Sequence, residues 1–122
     1  MYNLKIKTSF SSAHNLRNYK GKCESLHGHN WKVSIEVSSA LLNNIGLVID
    51  FKELKSISNS VIEQLDHKYL NELPQFKEIN PSSENIAQYI FNSLKEKLVN
   101  YKIKLDKVTV WETQNSSAAY YE

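Results

Sequence analysis

The chain has 122 residues, of which 41% are hydrophobic and 23% charged, the balance of a folded globular domain rather than a disordered segment. Fifteen basic and 13 acidic residues are spread along it for a net charge of +2, so no basic tract marks a nucleic-acid or membrane-surface binder. The N-terminal "MYNLKIKTSFSSAH" lacks the apolar run of a signal peptide, and a single cysteine makes no internal disulfide; both point to a cytoplasmic protein with residues 1–122 as one domain.

From Leu4 to Phe10 the even positions Leu4, Ile6 and Phe10 are apolar and Lys5, Lys7 and Ser9 polar, the period of a half-buried strand. A second strand, from Trp31 to Val37, alternates Trp31, Val33, Ile35 and Val37 with Lys32, Ser34 and Glu36. After a loop with Asn43, Asn44 and Gly46, Asp50 followed by Glu53 forms a capping-box pattern that starts a helix. Its apolar stripe is Leu54, Ile57, Val61 and Leu65, and Ser56, Ser58, Asn59 and Ser60 are assigned to its solvated face. Pro74 and Pro81 bound a loop; Ser82 then caps a second helix with Glu84 in its first turn and the stripe Ile86, Ile90, Leu94 and Leu98.

A terminal hairpin follows, in which Val108, Val110 and Glu112 alternate with Thr109, Trp111 and Thr113, and "NSS" leads to "AAYY". The order ββααββ predicts an α+β domain with two helices on one face of a four-stranded sheet. The other face, with Lys5, Lys7, Lys32, Glu36 and Thr109, is polar, and the open sheet edges call for oligomerisation.

The only cysteine and two of the four histidines fall within "CESLHGH", residues 23–29. Side chains two apart on a strand share a face, so His27 and His29 continue the apolar row of the second strand, and His14 continues that of the first if no bulge intervenes across Ser11 and Ser12. Three imidazoles with an open fourth position match a catalytic zinc site. Read singly, Cys23 also suits a small buried hydrophobe and His67 a helix-end residue that favours the dipole. Glu112, on the buried parity of its strand, needs a donor partner or a ligand.

"FSSAHNL", "CESLHGH", "GLVIDFKELK", "LDHKYLN", "NPSSENIA" and "VWET" run over nearly the whole chain. In that order they resemble the family of 6-pyruvoyl-tetrahydropterin synthase and 6-carboxy-tetrahydropterin synthase. The resemblance implies the tunnelling fold, with an antiparallel sheet that joins its neighbours' sheets in a barrel. It further implies a homohexamer of two trimers with active sites between subunits, and zinc on His14, His27 and His29. It makes Cys23 the general base, Asp66 and His67 a relay pair, and Glu112 the anchor of the pterin ring. Ser82, where threonine is common in the family, and Glu84 are carried over as substrate-binding residues.

Three residues, Glu24, Ser25 and Leu26, separate the cysteine from the first histidine, which resembles the carboxy-tetrahydropterin branch of queuosine biosynthesis; the pyruvoyl branch usually has five. A glutamate directly after the cysteine also resembles a subgroup forming 6-hydroxymethyl-dihydropterin for folate synthesis, in which Glu24 would be a second base; otherwise Glu24 is a solvated loop residue. The reading from another class is a non-catalytic zinc or pterin-binding module, which would have no need of Cys23 and His67.

Overall fold

A computed structural model of the chain describes residues 1–21 and 24–122. Four strands, β1 (Tyr2–His14), β2 (His27–Ser39), β3 (Lys104–Thr113) and β4 (Ser116–Tyr120), form one antiparallel sheet in the order β1-β2-β3-β4. Two helices, α1 (Phe51–Ile62) and α2 (Ser83–Lys97), lie between β2 and β3 in sequence. The ββααββ order read from the periodicity is the order observed. Among the described residues no helix is long and apolar enough to cross a membrane.

Both long strands outrun the apolar alternation that marks them, because the polar ends keep the parity without the hydrophobicity. The β1–β2 register is unbroken from Tyr2 opposite Ser39 to His14 opposite His27, so no bulge disturbs Ser11 and Ser12. Ile6, Phe10, Trp31, Val33, Ile35, Val108 and Val110 point to one face and are buried against Leu54, Val61, Ile86, Ile90, Phe91 and Leu94 of the helices. Burying this apolar face is the main stabilisation of the domain. The opposite face carries exposed Lys5, Lys7 and Lys32, although Ser34 and Thr109 on it are buried.

Both helix starts form as the sequence indicates. Asp50 Oδ1 accepts the Lys52 N–H at 2.7 Å, and Ser82 Oγ accepts the Asn85 N–H at 3.1 Å. The reciprocal half of the first capping box is absent: the Glu53 carboxylate accepts the Tyr101 hydroxyl at 2.6 Å instead. Ser58 is not on the solvated face. It is fully buried, since it lies four residues after Leu54 and three before Val61 on the same stripe, and its hydroxyl has no hydrogen-bond partner among the described residues. Leu65 is buried as expected, but in the turns after α1 ends.

One edge of the sheet is covered in a way that fixes the functional side chains. The N–H groups of Ser11, Ala13, Asn15 and Arg17 point away from β2 and are taken in turn by Asp66 Oδ1 (2.8 Å), the Lys68 carbonyl (3.0 Å), Asn71 Oδ1 (3.0 Å) and Asn80 Oδ1 (2.8 Å). Asn71 and Asn80 also return their amide N–H groups to the Asn15 and Arg17 carbonyls at 2.8 and 3.0 Å. The two side-chain amides thus serve as a surrogate strand, satisfying backbone groups that an edge leaves orphaned.

Candidate metal centre

His14 and His27 face each other across the β1–β2 ladder, and His29 is two residues further along the same face. Cross-strand neighbours lie close enough for their side chains to meet, and the three rings pack with centroids 4.6, 5.4 and 4.7 Å apart. Glu112 joins them from β3, one residue beyond the Lys32–Trp111 pair and within the register shift between Trp111 and Thr113. Ligand atoms of His14, His27, His29 and Glu112 all lie within 4.8 Å of one another. Glu112 Oε1 stands 2.9 Å from His29 Nε2, 3.1 Å from His14 Nε2 and 3.7 Å from His27 Nε2.

The surroundings prepare the rings as ligands. His14 Nδ1 lies 2.7 Å from the Pro81 carbonyl and His27 Nδ1 2.9 Å from the Ser25 carbonyl. A carbonyl only accepts, so Nδ1 carries the proton in both rings and Nε2 is left with its lone pair facing the cluster. Trp31 packs edge-on against His14 and His29 and donates its indole N–H to the Ser12 carbonyl at 3.2 Å. Burial pushes the His29 pKa down, with the nearby Glu112 charge opposing it, so the charged form of this imidazole is disfavoured.

His29 Nε2 is buried and, despite Glu112 Oε1 at 2.9 Å, has no aligned hydrogen-bond partner among the described residues. A buried nitrogen without a donor or acceptor is costly unless an electrophile takes its lone pair. Three imidazoles and a carboxylate converging on one point suit a borderline divalent ion such as zinc.

The model of the family described as 6-pyruvoyl tetrahydropterin synthase matches residues 3–122. The chain belongs to this family. Among its relatives, the 6-carboxy-5,6,7,8-tetrahydropterin synthase of Synechocystis sp. is 38% identical over 118 residues, covering 93% of this chain and 88% of that one. The enzyme of the same name from Haemophilus influenzae is 31% identical over 144 residues and covers both chains completely. The structure of the Caenorhabditis elegans 6-pyruvoyl tetrahydropterin synthase superposes with a TM-score of 0.86 at 28% identity, over 99% of this chain and 95% of that one. The tunnelling fold expected from the motifs is therefore the fold of this 6-pyruvoyl tetrahydropterin synthase family member, a pterin enzyme with a three-histidine and glutamate metal-binding cluster.

The remaining site residues of this family member are placed unevenly. Cys23 lies outside the described residues. Asp66 Oδ2 is 3.0 Å from His67 Nδ1, and His67 adopts a left-handed φ of 55° that lets its N–H reach the Ser11 carbonyl at 2.6 Å. The Ser11 N–H on Asp66, followed by His67, holds the Asp66 carboxyl below the ordinary aspartate range. Among the described residues no hydrogen bond or ion pair joins Asp66 or His67 to the histidine cluster, and the His67 side chain is 83% exposed.

The Ser82 hydroxyl is engaged as the cap of α2, and Glu84 is exposed in its first turn. Glu24 lies in the loop before β2, half-buried, and its carboxylate accepts the Leu16 N–H at 3.2 Å. The carbonyls of Pro81 and Ser25 are missed by sequence reasoning because a main-chain acceptor has no residue-type signature. The nearest sequence signal is the "NPSS" motif, whose Ser82 caps α2.

Proposed function

We propose that the protein is a zinc-dependent 6-carboxy-5,6,7,8-tetrahydropterin synthase of queuosine biosynthesis. With one water consumed, it takes 7,8-dihydroneopterin triphosphate to 6-carboxytetrahydropterin and releases acetaldehyde and triphosphate. The observation that carries the reading is the convergence of three imidazole Nε2 atoms and Glu112 on one point of the sheet, directly after a cysteine spaced as in the carboxy-tetrahydropterin branch.

Zinc, held by His14, His27 and His29, supplies Lewis acidity toward the hydroxyls of the substrate side chain. Glu112 is the pterin-facing residue rather than a permanent ligand, because a catalytic centre keeps a position open and this carboxylate, one-third exposed at a bulged strand end, has room to turn. It accepts two hydrogen bonds from the ring amide N–H and the exocyclic amine, a bidentate pairing that selects the heterocycle. Cys23, as thiolate, removes the proton from carbon, and His67, oriented by Asp66, carries protons to and from the substrate oxygens. Ser82 and Glu84 meet the substrate from the N-terminal rim of α2, next to the Pro81 carbonyl that orients His14.

The exposure of His67 and its separation from the cluster support a site completed by a neighbouring subunit, in a hexamer of two trimers. Edge groups of β1 covered from Ser11 to Arg17 leave the Asn3 to Ser9 stretch for pairing with another chain. A Glu24-dependent cleavage to 6-hydroxymethyl-dihydropterin is the weaker reading, because the Glu24 carboxylate is already engaged with Leu16.

The test is incubation of the zinc-loaded protein with 7,8-dihydroneopterin triphosphate, with pterin products separated chromatographically and acetaldehyde trapped. The expected products are 6-carboxytetrahydropterin and acetaldehyde in equal amounts. A 6-pyruvoyl or 6-hydroxymethyl pterin in their place would overturn the assignment.

A further inference from the structure

The β1–β2 ladder does not simply stop at the histidines. The register that sets His14 opposite His27 would bring Leu16 opposite Ser25, but Leu16 bonds to Glu24, one residue off register. Glu24 N–H donates to the Leu16 carbonyl at 2.8 Å, as in a ladder. The return bond is unusual: Leu16 N–H donates to the Glu24 side chain, Oε1, at 3.2 Å. The Glu24 carbonyl, released from that duty, accepts the Asn15 side-chain amide at 3.1 Å.

The same offset leaves Ser25 unpaired in the ladder and turns its carbonyl onto His27 Nδ1 at 2.9 Å. Glu24 Oε1 is itself 3.7 Å from that nitrogen, a carboxylate behind a ring whose far nitrogen faces the cluster. On the outer side of the same segment, Asn71 and Asn80 hold Asn15 and Arg17. Leu16 therefore lies between two residues anchored on the outer side and is itself held on the inner side by the Glu24 carboxylate.

We propose that Glu24 is a positioning residue for the metal ligand His27, acting through the Leu16 N–H and through its charge behind the imidazole. Its carboxylate takes the place of a backbone acceptor, so the Glu24–Leu26 turn closes with Nε2 of His27 aimed at the cluster. Carboxylates and carbonyls behind metal-bound imidazoles fix the ring and raise its basicity, and their loss typically costs about 10–100-fold in metal affinity. The inference rests on the proposed metal site and adds to it a role for Glu24 other than that of a base.

The experiment compares wild type with Glu24→Ala and Glu24→Gln by two readouts: zinc affinity from competition with a chelator, and hydrogen exchange of the Leu16 amide. Glutamine keeps an acceptor for Leu16 but loses the charge. Glu24→Ala should expose the Leu16 amide to exchange and weaken zinc binding about tenfold or more; Glu24→Gln should keep Leu16 protected and weaken zinc by less.

If Glu24→Ala does not fold, Glu24→Gln decides alone: protected Leu16 with weakened zinc supports the proposal, and unchanged zinc affinity overturns it. Three proteins with equal zinc affinity and equal Leu16 exchange would also overturn it. So would loss of turnover in Glu24→Gln with both readouts at wild-type values, which would make Glu24 a catalytic residue. Failure of the wild type to take up zinc sinks the proposed function instead, and the Leu16 exchange comparison still tests the structural half of the inference.

Discussion

His14 and His27 are directly paired across two neighbouring strands, and their Nε2 atoms lie 3.0 Å apart. Two ring nitrogens that both lack the proton repel at this separation. An ion held by His14, His27 and His29 would convert that repulsion into coordination. Metal analysis of His27→Ala and His29→Ala should therefore give well below one zinc per chain, with circular dichroism unchanged because the apolar sheet face does not depend on the metal. Full zinc stoichiometry in both variants would remove these residues from the ligand set.

Glu112→Gln should lose affinity for a pterin analogue more than for zinc. The amide places a donor where the ring also offers one, and an unmatched buried polar group costs about 1–3 kcal/mol. Calorimetric titration of the zinc-loaded protein measures it; equal affinity in wild type and variant would take Glu112 out of the pterin site.

Asp66 makes stability depend on pH with a definite sign. Its carboxyl is depressed in the fold, chiefly by the Ser11 N–H, so its contribution is fully present above the unfolded aspartate value of about 3.9 and is lost as the pH falls through the folded value. Urea unfolding of wild type and Asp66→Asn should show the largest gap at neutral pH and a closing gap below about pH 4. A gap that stays constant into acid would refute the edge-capping role of this carboxylate.

Ser58 buries a hydroxyl without a partner in the apolar stripe of α1. Ser58→Ala removes that unmet group and favours the helix, so the unfolding free energy should rise by about 1 kcal/mol. A loss of stability in chemical denaturation would mean that the hydroxyl has a partner after all.

A site shared between subunits has its own signature. Cys23→Ala and His67→Ala proteins are each expected to be inactive, and mixing them with subunit exchange should restore part of the activity, since some sites then take His67 from one chain and Cys23 from another. No recovery after exchange is verified by mass spectrometry would place both residues in one chain.

Period and parity alone determined the element order, the core faces of β1, β2 and β3 and the alignment of His14, His27 and His29. This worked because side-chain direction on a strand is set locally, by a two-residue repeat that does not need the partner strand. The same logic failed at Ser58, where a polar residue type outweighed its position on the stripe. Only the tertiary structure decided the rest. It placed Glu112 against the histidines through a register shift on β3, and set the carbonyls of Pro81 and Ser25 behind two ligand rings. It also paired Asn71 and Asn80 with backbone groups 56 and 63 residues away, and Glu24 with Leu16 one residue off register. These are side-chain to main-chain bonds between segments distant in sequence or displaced in register. They depend on how the loops return to the sheet edge, which no local repeat encodes.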